Sequence, residues 1–445
     1  MSFEIDNQTL DDLNVFPKTK IDSSIFKFFN KTKTSGGQSA LIEMMKNPSD
    51  DFELLSARIE AIHFIQNNNI LFPFTEKNLD FILHYFQHNA PPLNKSWIYA
   101  LSDWITDLFI QSNDYYVITK GIRYLKEFLY QLKNYIGNFQ ESKLPKYFQD
   151  IVHDINDILS SDFFHLFLFT GKKSKKLKSI NYFDHYIRTT EKENALKIIN
   201  IVFQLDALIT VAKAGKENNF SLPAYHENED SLINIENAFH PFVKEPVPNS
   251  ISLDQNINMC FLTGANMAGK STFLKSAGLC CYLAHIGFPV PAGKMQTSVF
   301  SGLITTINLA DNVSIGYSHF YSEVKRVKNT ALKIQEKRKI LVIFDELFRG
   351  TNVKDAYDAS LMIISAFADI SQCAFFISTH IVEIADDLKK KRSIVFKYFE
   401  SDVVNETPVY SYKLMNGISA ERHGLRIVKN EKILEILNEI IQEEK

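Results

Sequence analysis

The sequence predicts an α-helical N-terminal domain over residues 1–235 followed by an α/β domain over residues 236–445 with a largely parallel sheet. Three observations carry this reading. Before residue 235 glycine is scarce, and apolar residues recur in steps of three and four, the spacing of one helix face. Beyond it short apolar runs appear at Met259 to Thr263, Ile340 to Phe344 and Ala374 to Ser378, the pattern of strands buried on both faces. Each run is followed by small or polar residues and then a helical stretch, the alternation of an α/β domain.

The helical stripes are explicit. Phe52, Leu55, Ile59 and Ile62 fall on one face. Ile118, Ile122, Leu125, Leu129, Leu132 and Ile136 form a longer stripe, and Ile198, Val202, Leu205 and Ile209 another. Pro48 followed by Ser49 reads as a helix stop and a new N-cap. At the far end Glu431 to Glu443 is a helical stretch whose Ile433, Leu434, Ile436, Leu437, Ile440 and Ile441 cover one broad apolar face. That face either packs on its own domain or meets a second copy.

The chain has 445 residues, 45% hydrophobic and 23% charged, so a large core is expected and wholesale disorder is not. At roughly 150 residues per domain this is two or three domains. The net charge of −3 excludes a protein coated in basic charge but leaves room for a local basic groove. Lys172, Lys173, Lys175, Lys176 and Lys178, and Lys389 to Arg392, are two basic clusters of the kind usually found on solvated faces. Cys260, Cys280, Cys281 and Cys373 have no metal-ligand spacing and form no disulfide framework, which points to a reducing, cytoplasmic setting. The N-terminus is acidic and lacks the apolar segment of a signal peptide. No apolar run reaches the roughly 18 residues of a membrane span, so no membrane partner is expected.

The strongest chemical signal is Gly264-Ala265-Asn266-Met267-Ala268-Gly269-Lys270-Ser271-Thr272, which fits G-x-x-x-x-G-K-[ST] between an expected strand and an expected helix. Glycines let backbone N–H groups turn inward around phosphate oxygens, and the helix N-terminus adds its positive end. Lys270 is placed to hold the β- and γ-phosphates of ATP, and Ser271 to bind Mg²⁺. The run Ile340 to Phe344 ends in Asp345 and Glu346: Asp345 suits the Mg²⁺ shell, and Glu346 can polarise an attacking water. Ser378-Thr379-His380 closes another apolar run. A lone histidine is more often structural, but in this company His380 can hydrogen-bond the γ-phosphate or the water. Asp311 to Ser318, with Ser314 and Gly316 ahead of a helix carrying Glu323, reads alone as an ordinary cap. Between the other two elements it reads as the signature of an ABC-type P-loop ATPase.

At these residues the chain resembles the MutS family. Its loop is similar to that family's G-P-N-M-G-G-K-S-T; Asp311 to Glu323 resembles D-N-[IL]-S-x-G-x-S-T-F-x-x-E; Asp345 to Asp355 resembles D-E-I-G-R-G-T-S-T-x-D. Ser378-Thr379-His380 matches its A/S-T-H. His240-Pro241 with Val247-Pro248-Asn249 resembles the lead-in to the loop, and Asn416 to Ser419 with His423-Gly424 its C-terminal D-G-x-x-x-S-[YH]-G. Thr34 to Asn47, with Pro48 and Arg58, is similar to the opening of the family's helical core. Ala265, Ala268, His319, Phe348 and Asn352 depart from the usual residues, and none removes a phosphate, metal or water-activating group.

The resemblance implies a helical core and lever domain over 1–235, with the DNA clamp reduced or absent and the mismatch-reading and connector domains missing. It also implies a MutS-type ATPase over 236–445 with a C-terminal dimerisation helix. It further implies a homodimer in which Ser314 and Gly316 touch the γ-phosphate held by the partner. The partner molecule it implies is double-stranded DNA, branched, recombining or damaged, bound without mismatch specificity. Tyr412, shortly before Asn416-Gly417, is either a base-stacking residue or an ordinary aromatic. Two other functions compete: an ATP-driven switch on structured RNA or ribosomes, and a non-hydrolysing scaffold. The intact Lys270, Ser271, Asp345, Glu346 and His380 argue against the scaffold.

Overall fold

The computed structural model describes residues 3–19, 21–94, 113–169, 176–227, 231–265, 267–307, 319–348, 351–404, 407–419 and 433–443. The chain forms two compact units. One, helical, comprises residues 28–46 and 57–216; the other, α/β, comprises 1–27, 47–56 and 217–445. They are therefore not the consecutive blocks 1–235 and 236–445. The N-terminal residues belong with the α/β unit because Glu4 pairs in parallel with Gly302 at a sheet edge.

The first helices are α1 (Asn7–Asp12), α2 (Ile25–Phe29), α3 (Ser35–Lys46), α4 (Phe52–Asn68) and α5 (Glu76–Gln87). The helical unit continues with α6 (Asn113–Gly137), α7 (Lys146–Ser160), α8 (Asp162–Phe169), α9 (Lys176–Arg188) and α10 (Lys192–Glu217). The expected stripe from Ile118 to Ile136 is buried along α6, as a helix with one apolar face requires. Helix α10 is different, being buried all round. By length and a mean hydropathy of 1.7 it could cross a membrane, but 78% of that window is buried, which marks a core helix. Its buried Asp206 accepts hydrogen bonds from Thr34 N (2.9 Å) and Thr34 Oγ1 (2.8 Å), fixing the start of α3. A Cβ on Gly37 would lie 2.2 Å from Asp206 Oδ2, so this approach needs glycine. The N-cap expected at Ser49 falls two residues later: Asp51 Oδ1 accepts from Leu54 N, while Ser49 Oγ accepts from Asp51 N.

The α/β unit contains β1 (Ala224–His226), β2 (Ile233–Ala238), β3 (Asn249–Leu253), β4 (Met259–Thr263), α11 (Lys270–His285), β5 (Lys294–Ser298), β6 (Gly302–Thr306) and α12 (His319–Lys337). It continues with β7 (Ile340–Phe344), α13 (Val353–Ala368), β8 (Ala374–Ser378), α14 (Ile384–Leu388), β9 (Ile394–Val404), β10 (Thr407–Asn416) and α15 (Ile433–Glu443). The three apolar runs are β4, β7 and β8, and every residue in them is buried. They lie in a six-stranded sheet of order β10-β9-β4-β8-β7-β6, parallel except for the antiparallel β9–β10 pair. A second, four-stranded sheet of order β1-β5-β2-β3 is mixed, so the unit is less uniformly parallel than expected. Its strands are short and half exposed, without the continuous apolar runs that make buried strands legible. Helix α11 touches β2, β5 and β6, and so reaches both sheets. Residues of α12, α13 and α14 share one apolar cluster with β4, β7 and β8.

Candidate nucleotide site

The site lies where β4, β7 and β8 end, the usual position for ligands in an open α/β sheet. Beyond Thr263 the chain turns through Gly264 (φ 134°), Met267 (φ 69°) and Gly269 (φ 111°) before α11 begins at Lys270. The two glycines occupy the left-handed region that side chains rarely tolerate. The loop curls around Lys270, whose Nζ donates to Gly264 O (2.8 Å) and Ala265 O (3.1 Å). Burial lowers the pKa of this ammonium, and the carboxylates of Glu346 and Asp345 act against that shift. Ala268 is buried, whereas Met267, Ser271 and Thr272 are exposed.

Asp345 and Glu346 follow β7. Asp345 N donates to Thr306 O (2.9 Å), tying the carboxylate's backbone to the end of β6. Ser378 Oγ donates to Asp345 Oδ1 and accepts from Glu346 N (2.9 Å), so one hydroxyl at the end of β8 orients both acids. Glu346 has φ 60°, in the left-handed region that non-glycine residues rarely adopt. His380 Nε2 lies 2.5 Å from Glu346 Oε1. The structure thus brings Lys270, Asp345, Glu346, Ser378 and His380 to one end of the sheet. Asn266, Ser314 and Gly316 lie outside the described residues.

Beside the loop is a cavity of about 420 Å³, bordered by His240, Val247, Lys270, Glu346, Phe399 and Tyr412. A few hundred Å³ is the size of a small-molecule pocket. Tyr412 borders it because β10 slips register against β9 between Tyr410 and Leu414. Asn249 stabilises that slip: its Nδ2 donates to Tyr412 O (3.0 Å) and its Oδ1 accepts from Leu414 N (2.7 Å). Burial, with the Lys275 charge adding to it, lowers the His240 pKa to about 4, so the pocket presents a neutral imidazole at pH 7. Phe399 carried no signal in the sequence, since one apolar residue in a β-strand looks like any other. The roles of Ser378 and Asn249 also depend on distant partners, although both fall inside quoted motifs.

Among the described residues no group of three or more His, Cys, Asp or Glu side chains could hold a metal. Ser271 and Asp345 offer one hydroxyl and one carboxylate. That sparse oxygen set fits Mg²⁺, which keeps waters and phosphate oxygens in its shell, and does not fit a caged metal. The basic cluster near residue 390 is partly neutralised, Lys389 by Asp386 and Lys391 by Asp369. All four cysteines are free and buried.

The geometry defines a class of site: a strand, a glycine-bearing loop and a helix N-terminus gathered around a buried lysine, faced by two carboxylates at strand ends. Residues 260–444 match the family described as MutS domain V. The DNA mismatch repair protein MutS of Anaplasma phagocytophilum is 31% identical over 229 residues, covering 51% of this chain and 27% of that protein. That of Petrotoga mobilis is 27% identical over 256 residues, covering 57% of this chain and 30% of the relative. Over residues 260–444 the chain is thus similar to the MutS family, and it spans less than a third of the length of these relatives.

Proposed function

We propose that the protein is a Mg²⁺-dependent ATPase of MutS type that binds DNA and couples ATP binding and hydrolysis to conformational change in repair or recombination. The observation that carries this is the buried Lys270 ammonium inside its loop, set against Asp345 and Glu346, which Ser378 orients. Lys270 neutralises the β- and γ-phosphates, and backbone N–H groups of the loop hold their oxygens. Ser271 and Asp345 would hold Mg²⁺, which when bound would neutralise charge developing on the phosphates. Glu346 orients the attacking water and takes its proton, while His380 holds the Glu346 carboxylate in place. Tyr412 stacks on the base, over the loop at Gly269, where a Cβ would come within 3.4 Å of its ring.

Ser314 and Gly316 complete the opposite site of a homodimer in this reading. The dimer is supported by α15, whose Ile433, Leu434, Ile436, Leu437, Ile440 and Ile441 are all exposed. An apolar face of that extent is a common mark of a partner surface. The DNA role is supported by the similar relatives, which are DNA mismatch repair proteins. Phosphate release from ATP with and without Mg²⁺, and binding to duplex DNA, branched DNA and structured RNA across a salt series, test the two halves. The account expects Mg²⁺-dependent release and DNA affinity that falls steeply with salt. Tighter binding to RNA than to any DNA would overturn the DNA half.

A further inference from the structure

The N-terminal residues of the α/β unit form a strap across the sheet edge nearest the acidic pair. Glu4 extends β6 outward: its N donates to Ser301 O (2.8 Å), and its O accepts from Leu303 N (2.9 Å). Helix α1 then runs along β6, capped by Asp6, whose Oδ1 accepts from Thr9 N (2.9 Å). Thr9 Oγ1 accepts from Thr305 N (3.0 Å). The fully buried Asp12 accepts from Thr305 Oγ1 (2.7 Å) and Ile307 N (2.9 Å), and from Gln8 Nε2 (2.9 Å). Leu13 reaches α11, where a Cβ on Gly278 would lie 3.0 Å from Leu13 Cδ2 and 2.9 Å from Ile343 Cδ1.

One side chain links this strap to the acids. Arg326 on α12 donates from Nε to Thr306 Oγ1 (3.0 Å), from Nη2 to Thr305 O (2.7 Å), and from Nη1 to Asp6 Oδ2. Thr306 in turn accepts from Asp345 N at its carbonyl. A planar guanidinium can make these bonds together because its donors form a rigid fork, and an ammonium cannot. A cavity just large enough for one water lies beside it, lined by Thr306, Glu323, Arg326, Asp345 and Glu346.

We infer that Asp6, Asp12 and Arg326 are positioning residues for the Asp345–Glu346 pair, and that the N-terminal segment is a working part of the hydrolytic unit. The inference rests on the ATPase reading for its kinetic consequence and on geometry alone for the strap. The matched domain begins at residue 260, beyond the strap. Asp6 and Asp12 hold the end of β6 by two routes: Asp6 through Arg326, Asp12 through Thr305 and Ile307 directly. A shift of β6 along its axis moves Thr306 O, and with it the backbone of Asp345. Nucleotide affinity depends chiefly on the loop around Lys270, whereas the strap's hydrogen bonds described above go to β6, Ile307 and Arg326. Loss of the strap's grip is therefore read in turnover before binding.

Two full-length variants test this. Asp6→Asn keeps an N-cap acceptor but removes the charge facing Arg326. Arg326→Lys keeps the charge and loses the fork. Both are expected to bind a fluorescent ATP analogue with Mg²⁺ within about twofold of wild type, with kcat for phosphate release reduced on the order of tenfold. Hydrogen exchange is expected to quicken at the amides of Thr305, Ile307 and Asp345 in both variants. Wild-type kcat in both variants, with a shift only in melting temperature, would overturn the positioning role. If the wild-type protein releases no phosphate from ATP, the ATPase reading fails and the strap is judged by exchange alone. Unchanged protection at those three amides then overturns the strap.

Discussion

In the helical unit Asp184 is closed on all sides. Its Oδ1 accepts from Tyr85 Oη and Arg188 Nε (both 2.7 Å), and its Oδ2 from Leu93 N and Arg188 Nη2 (both 2.7 Å). Arg188 spends a further donor on Ala90 O (2.6 Å). In the α/β unit the buried Lys270 faces the carboxylates of Asp345 and Glu346, Ser378 Oγ donating to the first and accepting from the backbone N of the second, and the group opens onto a cavity of about 420 Å³. Both clusters bury charge, but only the second leaves room for a ligand. Burying charge is costly unless it is paired, so a closed cluster pins a fold, whereas an open one awaits the groups that complete it.

Breaking each cluster separates the two roles. Asp184→Ala strands the Arg188 guanidinium in the helical unit and is expected to cost about 3–5 kcal/mol of stability, measured by urea unfolding. Lys270→Ala removes a charge whose burial is already unfavourable. It is expected to change stability by about 1 kcal/mol or less, while ATP binding, measured by titration, weakens roughly 100-fold. A large loss of stability in Lys270→Ala with affinity retained would make its cluster structural like the other.

Acid distinguishes the units further. In the α/β unit burial holds the His285 pKa at about 4, with its Nδ1 bonded to Cys281 O (2.7 Å) and Nε2 accepting from Phe300 N (2.8 Å). An unfolded histidine titrates near 6.5. The unfolded state therefore takes up the proton first, and stability that is full above pH 6.5 is lost as the pH falls toward about 4. His240 acts with the same sign. In the helical unit burial raises the Asp206 pKa despite its bonds to Lys33 and Thr34, so protonation there relieves strain as the pH falls. Urea unfolding followed by hydrogen exchange at pH 7.5 and pH 5 is expected to show the α/β unit weakening more, by about 2 kcal/mol for His285. The smallest effect is at the pocket's far wall: Tyr412→Ala is expected to weaken ATP binding about 3- to 10-fold by titration.

The two halves of the site differed in how far the sequence made them legible. The loop around Lys270 is contiguous, and its glycines and lysine have fixed spacing because the chemistry occupies one turn of chain. β4, β7 and β8 were legible because burial on both faces leaves no polar residue to interrupt them. The four-stranded sheet was not, because its short strands alternate weakly. The strap was hidden for a different reason. Asp6 and Asp12 look like solvated acids in an acidic terminus, and their partners Arg326 and Thr305 lie some three hundred residues away. Asn249 is similar: it mimics a β-bridge to β10 that no local pattern records.

The claim that the open cluster hydrolyses ATP is tested most directly by Glu346→Gln. The amide keeps the shape of the side chain and its contact with His380 but cannot take a proton from water. ATP binding and phosphate release are to be measured on the same protein with Mg²⁺. The account predicts binding within about threefold of wild type and release slowed by about 100-fold or more. Release at the wild-type rate would contradict it.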